Sequence, residues 1–260
     1  MENWVNISTD FFEKYIASFK GLSDDQQKNF KIKKAHSYRV AENARWLAVK
    51  LKQDAEGEKI AFLSGLFHDI GRFKQLVDYN TFHDQKSIDH ADYAVDVLRK
   101  EGMLNFLDTD ARELIFTAIF MHNKFDLSKK LTQRELLYAR ILRDADKLDI
   151  LKVLTDYYSG RNQPVNHTLT WELPKGKAVS KTVAREVLAG KLVSKSEVKS
   201  EIDVKIMQLS WIYDLNFRPS VEYVLENRFL EKIYNTLSKT DTVIEIYRKV
   251  KVYAENKILV

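Results

Sequence analysis

An all-α fold is predicted by three observations. Helix breakers are scarce: the chain holds three prolines and eight glycines, and none of the prolines falls within the first 160 residues. Apolar residues recur at three- and four-residue steps in one segment after another, the period of a helix with one buried face. The connections between these segments are short and polar, as in a helical bundle.

Taken in order, helical periodicity covers residues 11–19, 40–51, 60–67, 88–98, 112–121 and 136–154. Ser23 followed by Gln26 has the spacing of a capping box, which starts a helix leading to His36. Gly57, Gly102 and Gly160 stand where helices are expected to end. Between Pro164 and Pro174 the pattern changes, and Thr168, Thr170 and Trp171 suggest a loop or short hairpin over 162–176. Helical spacing resumes over 178–189, 201–215, 221–237 and 242–256, with Pro219 breaking the chain before the third of these. Trp211, Tyr213 and Asn216 lie in an aromatic segment read as core packing. The expected organisation is a bundle core over 1–160 and a helical C-terminal extension over 161–260, packed on the core as one body.

Hydrophobic residues make up 45% of the 260 and charged residues 30%, a globular balance with ample apolar surface to bury. No apolar run approaches the length that spans a bilayer. The first twenty residues are amphipathic and charged, without a signal-peptide block, so a cytoplasmic location is expected and no membrane association. The formal charge of +5 is spread along the chain, which favours ordinary surface lysines over a nucleic-acid interface. With no cysteine, thiolate metal sites and cysteine nucleophiles are excluded, leaving imidazole and carboxylate as metal donors.

Five of the six histidines lie between residues 36 and 122. His122 follows Ile115, Ala118 and Ile119 on one helical face, so its ring is expected to emerge inward. His36 precedes Val40, Ala44 and Leu47, His90 precedes Ala94 and Val97, and Asp69 follows Phe62 and Leu66. Asp144 sits amid Leu137, Ile141, Leu148 and Leu151. A buried carboxylate costs several kcal/mol (roughly) unless it is paired or bound to a cation. One such histidine alone reads as a satisfied core residue; the set together points to a metal. Imidazole and carboxylate without sulfur suit Mn, Fe, Zn, Ni or Co, and admit Mg.

The motifs Ala35-His36-Ser37-Tyr38-Arg39-Val40, Leu66-Phe67-His68-Asp69-Ile70-Gly71-Arg72, Met121-His122-Asn123-Lys124 and Arg143-Asp144-Ala145-Asp146-Lys147-Leu148-Asp149 resemble, in order and interval, those of the HD-domain superfamily of metal-dependent phosphohydrolases. They cover somewhat under half the chain. The resemblance implies an all-α HD-domain bundle and a first metal held by His36, His68, Asp69 and Asp144. Asp69 would bridge to a second ion held by His90 and His122, so one or two divalent ions are expected. It also implies phosphoester or phosphoanhydride hydrolysis by metal-activated water, with a phosphorylated small molecule, a nucleotide, as substrate. Asp69 would carry the catalytic metals, while Lys147 and Arg72 lie where a cationic side chain can meet a substrate phosphate. His83, in a polar stretch, and the isolated His167 are left outside the ligand set.

The chain lacks the Gly-Tyr-Pro element of one cyclic-dinucleotide branch, and Ile70-Gly71-Arg72 stands where guanosine-tetraphosphate hydrolases carry an acidic pair. The alternative to an enzyme is a catalytically silent, metal-binding regulatory domain. A homo-oligomer is compatible with the sequence.

Overall fold

A computed structural model gives the structure of residues 2–160 and 173–259. Among these residues every regular element is helical, as predicted. The loop or hairpin expected over 162–176 falls largely outside the described residues, and His167 lies outside them. No helix is long and apolar enough to cross a membrane.

The chain divides into two compact units, Met1–Asp146 and Lys147–Val260, and the division falls inside one helix. The first unit contains α1 (Glu2–Ser18), α2 (Asp24–Lys50), α3 (Ala55–Phe67), α4 (Ile70–Tyr79), α5 (His90–Glu101), α6 (Thr109–Met121) and the start of α7 (Gln133–Ser159). The Ser23–Gln26 box caps α2 with both of its bonds formed. Phe12 of α1 is fully buried against Tyr38, Phe67 and Phe73 in edge-to-face contacts, which fastens α1 to α2, α3 and α4. Close crossings do the rest. A Cβ at Gly65 would lie 2.6 Å from Ala41 Cα, so α3 can meet the backbone of α2 only because residue 65 has no side chain. At Gly71 a Cβ would lie 2.7 Å from both Ala94 N and His90 O, so α4 rests in the same way on the first turn of α5.

Three details differ from the sequence expectation. Gly57 begins a helix rather than ending one: its N–H is bonded to the Asp54 side chain that caps α3. The helix α4 was not expected; it has only ten residues, although Ile70, Phe73 and Leu76 give it a buried face. In the second unit, the helix expected over 221–237 is two, α10 (Arg218–Glu226) and α11 (Phe229–Asn235), separated where Arg228 takes a φ of +56°.

The second unit also holds the end of α7, α8 (Lys181–Leu188), α9 (Glu201–Ser210) followed by a 3₁₀ turn at Trp211–Asp214, and α12 (Asp241–Leu259). Its core is formed by Val183, Val187, Ile206, Val224, Ile233, Ile246 and Val250, each at 0% exposure. Tyr213 packs edge-on against Tyr253 and its hydroxyl donates to Val187 O, but Trp211, Tyr213 and Asn216 are half-buried, at the edge of the core rather than in it.

Candidate metal centre

Five helix segments of the first unit deliver the chemistry-bearing residues. His36 lies within α2. His68 and Asp69 form the junction between α3 and α4, where the change of helix direction lets consecutive side chains turn into one space. Asp69 occupies the N-cap position of α4, yet its side chain makes no cap hydrogen bond and turns to the interior instead. His90 is the first residue of α5, fixed there by Asp89, whose carboxylate caps the helix through Ala91 N and Asp92 N. His122 ends α6.

The start of α7 is tied to these elements by two polar contacts. Asn43 of α2 donates to Ala145 O at 3.2 Å, and the buried Arg143 guanidinium donates to carbonyls at the end of α6, including those of Met121 and Lys124. Met121 O also accepts from Lys124 N at 3.3 Å, and the arginine adds further donors to the carbonyls where α6 ends.

His36, His68, Asp69, His90 and His122 are brought together as expected, all buried. His68 Nε2 is 3.2 Å from His36 Nε2, and His90 Nε2 is 3.1 Å from His122 Nε2. Asp69 divides its oxygens between the two pairs. Oδ2 lies 3.7 Å from His36 Nε2 and 3.6 Å from His68 Nε2, while Oδ1 lies 3.5 Å from His90 Nε2. That is the disposition of a carboxylate able to bridge two cations.

The α7 carboxylate in the cluster is Asp146, not the expected Asp144. Asp146 Oδ1 is 3.1 Å from His36 Nε2 and 3.8 Å from His68 Nε2. Residues two apart on an α-helix point about 200° apart, so the two aspartates face nearly opposite ways and only one can meet the histidines. Asp144 is fully buried and is absent from the groupings of suitable metal geometry. His83 is exposed and takes no part.

The proton positions on three rings follow from their other nitrogens. His68 Nδ1 donates to Gly65 O at 2.7 Å and His122 Nδ1 to Ile119 O at 2.6 Å, since a carbonyl can only accept. His90 Nδ1 donates to Asp84 Oδ2 at 2.6 Å. Burial lowers the pKa of all three imidazoles and holds them neutral, the charges of Arg72 adding to the effect at His90 and those of neighbouring histidines at His122. A neutral ring with its proton on Nδ1 has a bare lone pair on Nε2. His68, His90 and His122 therefore all turn lone pairs into the cluster.

The carboxylates add further acceptors. Burial opposes the charge on Asp69, but Lys33, His68 and Arg72 hold its pKa well below the usual carboxylate range. Burial likewise opposes ionisation of Asp146, and the neighbouring imidazoles led by His36 outweigh it. Asp146 Oδ1 is buried and makes no hydrogen bond among the described residues. One cation already answers this charge: Lys33 Nζ, half-buried, lies 2.7 Å from Asp69 Oδ2. Nothing in the sequence marks Lys33 beyond its place one turn before His36. The donor set fits a divalent metal: bare imidazole nitrogens and ionised carboxylate oxygens converge, with Asp146 Oδ1 left unbonded. His36, His68 and Asp146 form one grouping of suitable geometry, and His68, Asp69 and His122 another.

A third grouping, Asp84, Asp89 and His90, does not fit a metal. His90 Nδ1 already donates to Asp84, and Asp89 caps α5 and pairs with Lys124 at 2.8 Å. The two expected phosphate contacts are both engaged. Arg72 Nη1 lies 2.7 Å from Asp84 Oδ1, and Lys147 Nζ lies 2.6 Å from Asp214 Oδ2 within the second unit.

No curated protein and no solved structure gives a match to this chain. A family comparison does: residues 34–151 match the family described as HD domain, a span that begins two residues before His36 and contains all four motifs. The segment that assembles this centre thus matches the HD-domain family, which is consistent with membership of the HD-domain superfamily.

Proposed function

We propose that this chain is a metal-dependent phosphohydrolase that cleaves a phosphoester or phosphoanhydride bond of a nucleotide, using two divalent cations. The proposed ligands are His36, His68, Asp69 and Asp146 for one ion and Asp69, His90 and His122 for the other. The observation that carries the reading is the pair His90 and His122. Each has its proton on Nδ1, yet their Nε2 atoms face one another at 3.1 Å. Two facing lone pairs repel unless a cation lies beside them. The HD superfamily is one of metal-dependent phosphohydrolases that also has non-catalytic members, which supports the reaction class.

A divalent cation bound there supplies Lewis acidity, withdrawing charge from a phosphoryl oxygen and making hydroxide available near neutral pH. The protein's own residues then have separate tasks. Asp69 and Asp146 offset the positive charge, and the buried histidines exclude bulk water while keeping their protons away from the metals. Lys33, held at Asp69, is the side chain best placed to offer an ammonium to a substrate phosphate. Arg72 and Lys147 are paired with Asp84 and Asp214.

The test is phosphate release from a panel of nucleotides and phosphate esters, with Mn, Co, Ni or Mg added to metal-stripped protein. The expected result is turnover that requires metal and ends on chelation. Full metal occupancy without turnover on any member of the panel would favour the regulatory reading instead.

A further inference from the structure

We infer that Asp84 is a positioning residue of the metal centre: it holds His90 in the tautomer and orientation that turn a bare Nε2 toward His122, and is itself held by Arg72 and Gln75. The inference rests on the reading of the cluster as a two-metal site.

Asp84 begins a short 3₁₀ turn, Asp84–Lys86, in the connection between α4 and α5. Both of its oxygens are fixed. Oδ2 accepts from His90 Nδ1 at 2.6 Å, while Oδ1 accepts from Arg72 Nη1 at 2.7 Å and Gln75 Nε2 at 3.0 Å. Gln75 is fully buried, and its amide also donates to Ser87 Oγ and Ile88 O, fastening the connection to α4. Arg72 Nη1 donates to Phe82 O at 2.7 Å and so grips the same connection from its other end. The contacts close into a ring. Arg72 Nε lies 3.5 Å from Asp69 Oδ1, and His90 Nε2 lies 3.5 Å from that same oxygen.

The chemical consequence concerns one proton. A neutral imidazole has two tautomers of similar energy. With the proton on Nε2, His90 would donate an ordinary hydrogen bond to His122 and offer no lone pair to a cation. An acceptor at Nδ1 removes that option, and a charged acceptor also makes Nε2 more basic. Arg72, expected from sequence to meet the substrate, has a task here as the counter-ion that keeps Asp84 in place.

Two measurements test this. Long-range proton–nitrogen correlation of the histidine rings in metal-free, unsubstituted protein should place the His90 proton on Nδ1; finding it on Nε2 overturns the inference. Calorimetric titration of Asp84→Asn with Mn should leave one ion bound as in the unsubstituted protein and weaken the other about 10–100-fold. A residue that merely stiffened the connection would lower the melting temperature and leave both affinities unchanged, and that result also overturns it. His90→Ala is the control for the underlying reading: if it binds as many ions as tightly as the unsubstituted protein, His90 is not a ligand. The tautomer measurement still decides for or against Asp84 in that case, or if Asp84→Asn does not fold.

Discussion

Each unit of the molecule buries carboxylates, and they are treated in opposite ways. In the second unit Asp203 is fully buried and accepts from Ser180 N at 2.8 Å, Ser180 Oγ at 2.6 Å and Lys199 N at 3.1 Å. Two backbone amides and a hydroxyl satisfy it, and it serves as a clasp between the start of α8 and the turn before α9. In the first unit, Asp146 meets imidazole nitrogens of His36 and His68, and its Oδ1 has no hydrogen bond among the described residues, while Asp69 has one direct donor, Lys33. Burial alone does not distinguish a structural carboxylate from a functional one; the supply of donors does.

The largest effect is expected at Asp69, whose two oxygens face the two histidine pairs. Replacing it with Ala is expected to empty the centre of metal and to lower activity by about a thousandfold or more, the scale of the several kcal/mol that Lewis-acid stabilisation supplies. Elemental analysis and phosphate release read the two effects, and metal retained by a folded Asp69→Ala protein would remove the basis of the comparison. The next effect separates two neighbours on α7. Asp146→Asn should weaken the ion at His36 and His68 by more than about a hundredfold, the upper end of what losing even an indirect contact costs, whereas Asp144→Asn should leave both ions in place. Metal titration that gives the reverse order would restore Asp144 as the ligand.

Asp203→Ala tests the other side. Removing the acceptor leaves two amides and a hydroxyl buried without a partner, so stability should fall by about 2–4 kcal/mol in urea denaturation while metal content is unchanged. A loss of metal in this variant would break the distinction between the units. The smallest effect expected is on the pH dependence of the metal-free protein. His68, His90 and His122 have pKa values lowered below 6.5 in the fold, so folding favours their neutral forms. Their contribution is complete above pH 6.5 and declines as pH falls below it. Asp69 and Asp146, lowered below 3.8, contribute fully above that value and lose the contribution further down. The melting temperature of metal-free protein should therefore fall from pH 7 to pH 5 and more steeply below 4, and a rise over the first interval would contradict the neutral, burial-held histidines.

Much of the fold and of the site was legible because both are carried by local spacing. The Ser23 cap and the inward faces of His36, His90 and His122 follow from helical periodicity. Asp146 was missed for a physical reason. Ile141, Leu142, Ala145 and Leu148 are all nearly inaccessible to solvent, so this part of α7 is buried on more than one side and its apolar stripe does not say which face meets the histidines. Lys33 and Asp84 were illegible for another: each acts through a contact with a different element, and an exposed-looking lysine or aspartate in sequence shows nothing of that partner. Arg228 was missed because a single residue at positive φ breaks a helix without glycine or proline to announce it.

Gly71 gives the centre a mechanical property. The backbone of α4 and that of α5 meet there with no room for a Cβ, two residues after Asp69 and against the carbonyl of His90. The separation between Asp69 and His90 is therefore gauged by a backbone contact that involves no ligand side chain. A methyl group at that position would act as a shim, moving His90 away from Asp69 while every donor atom stayed chemically the same. The spacing of Asp69 and His90 is in this sense set by a residue that has no side chain.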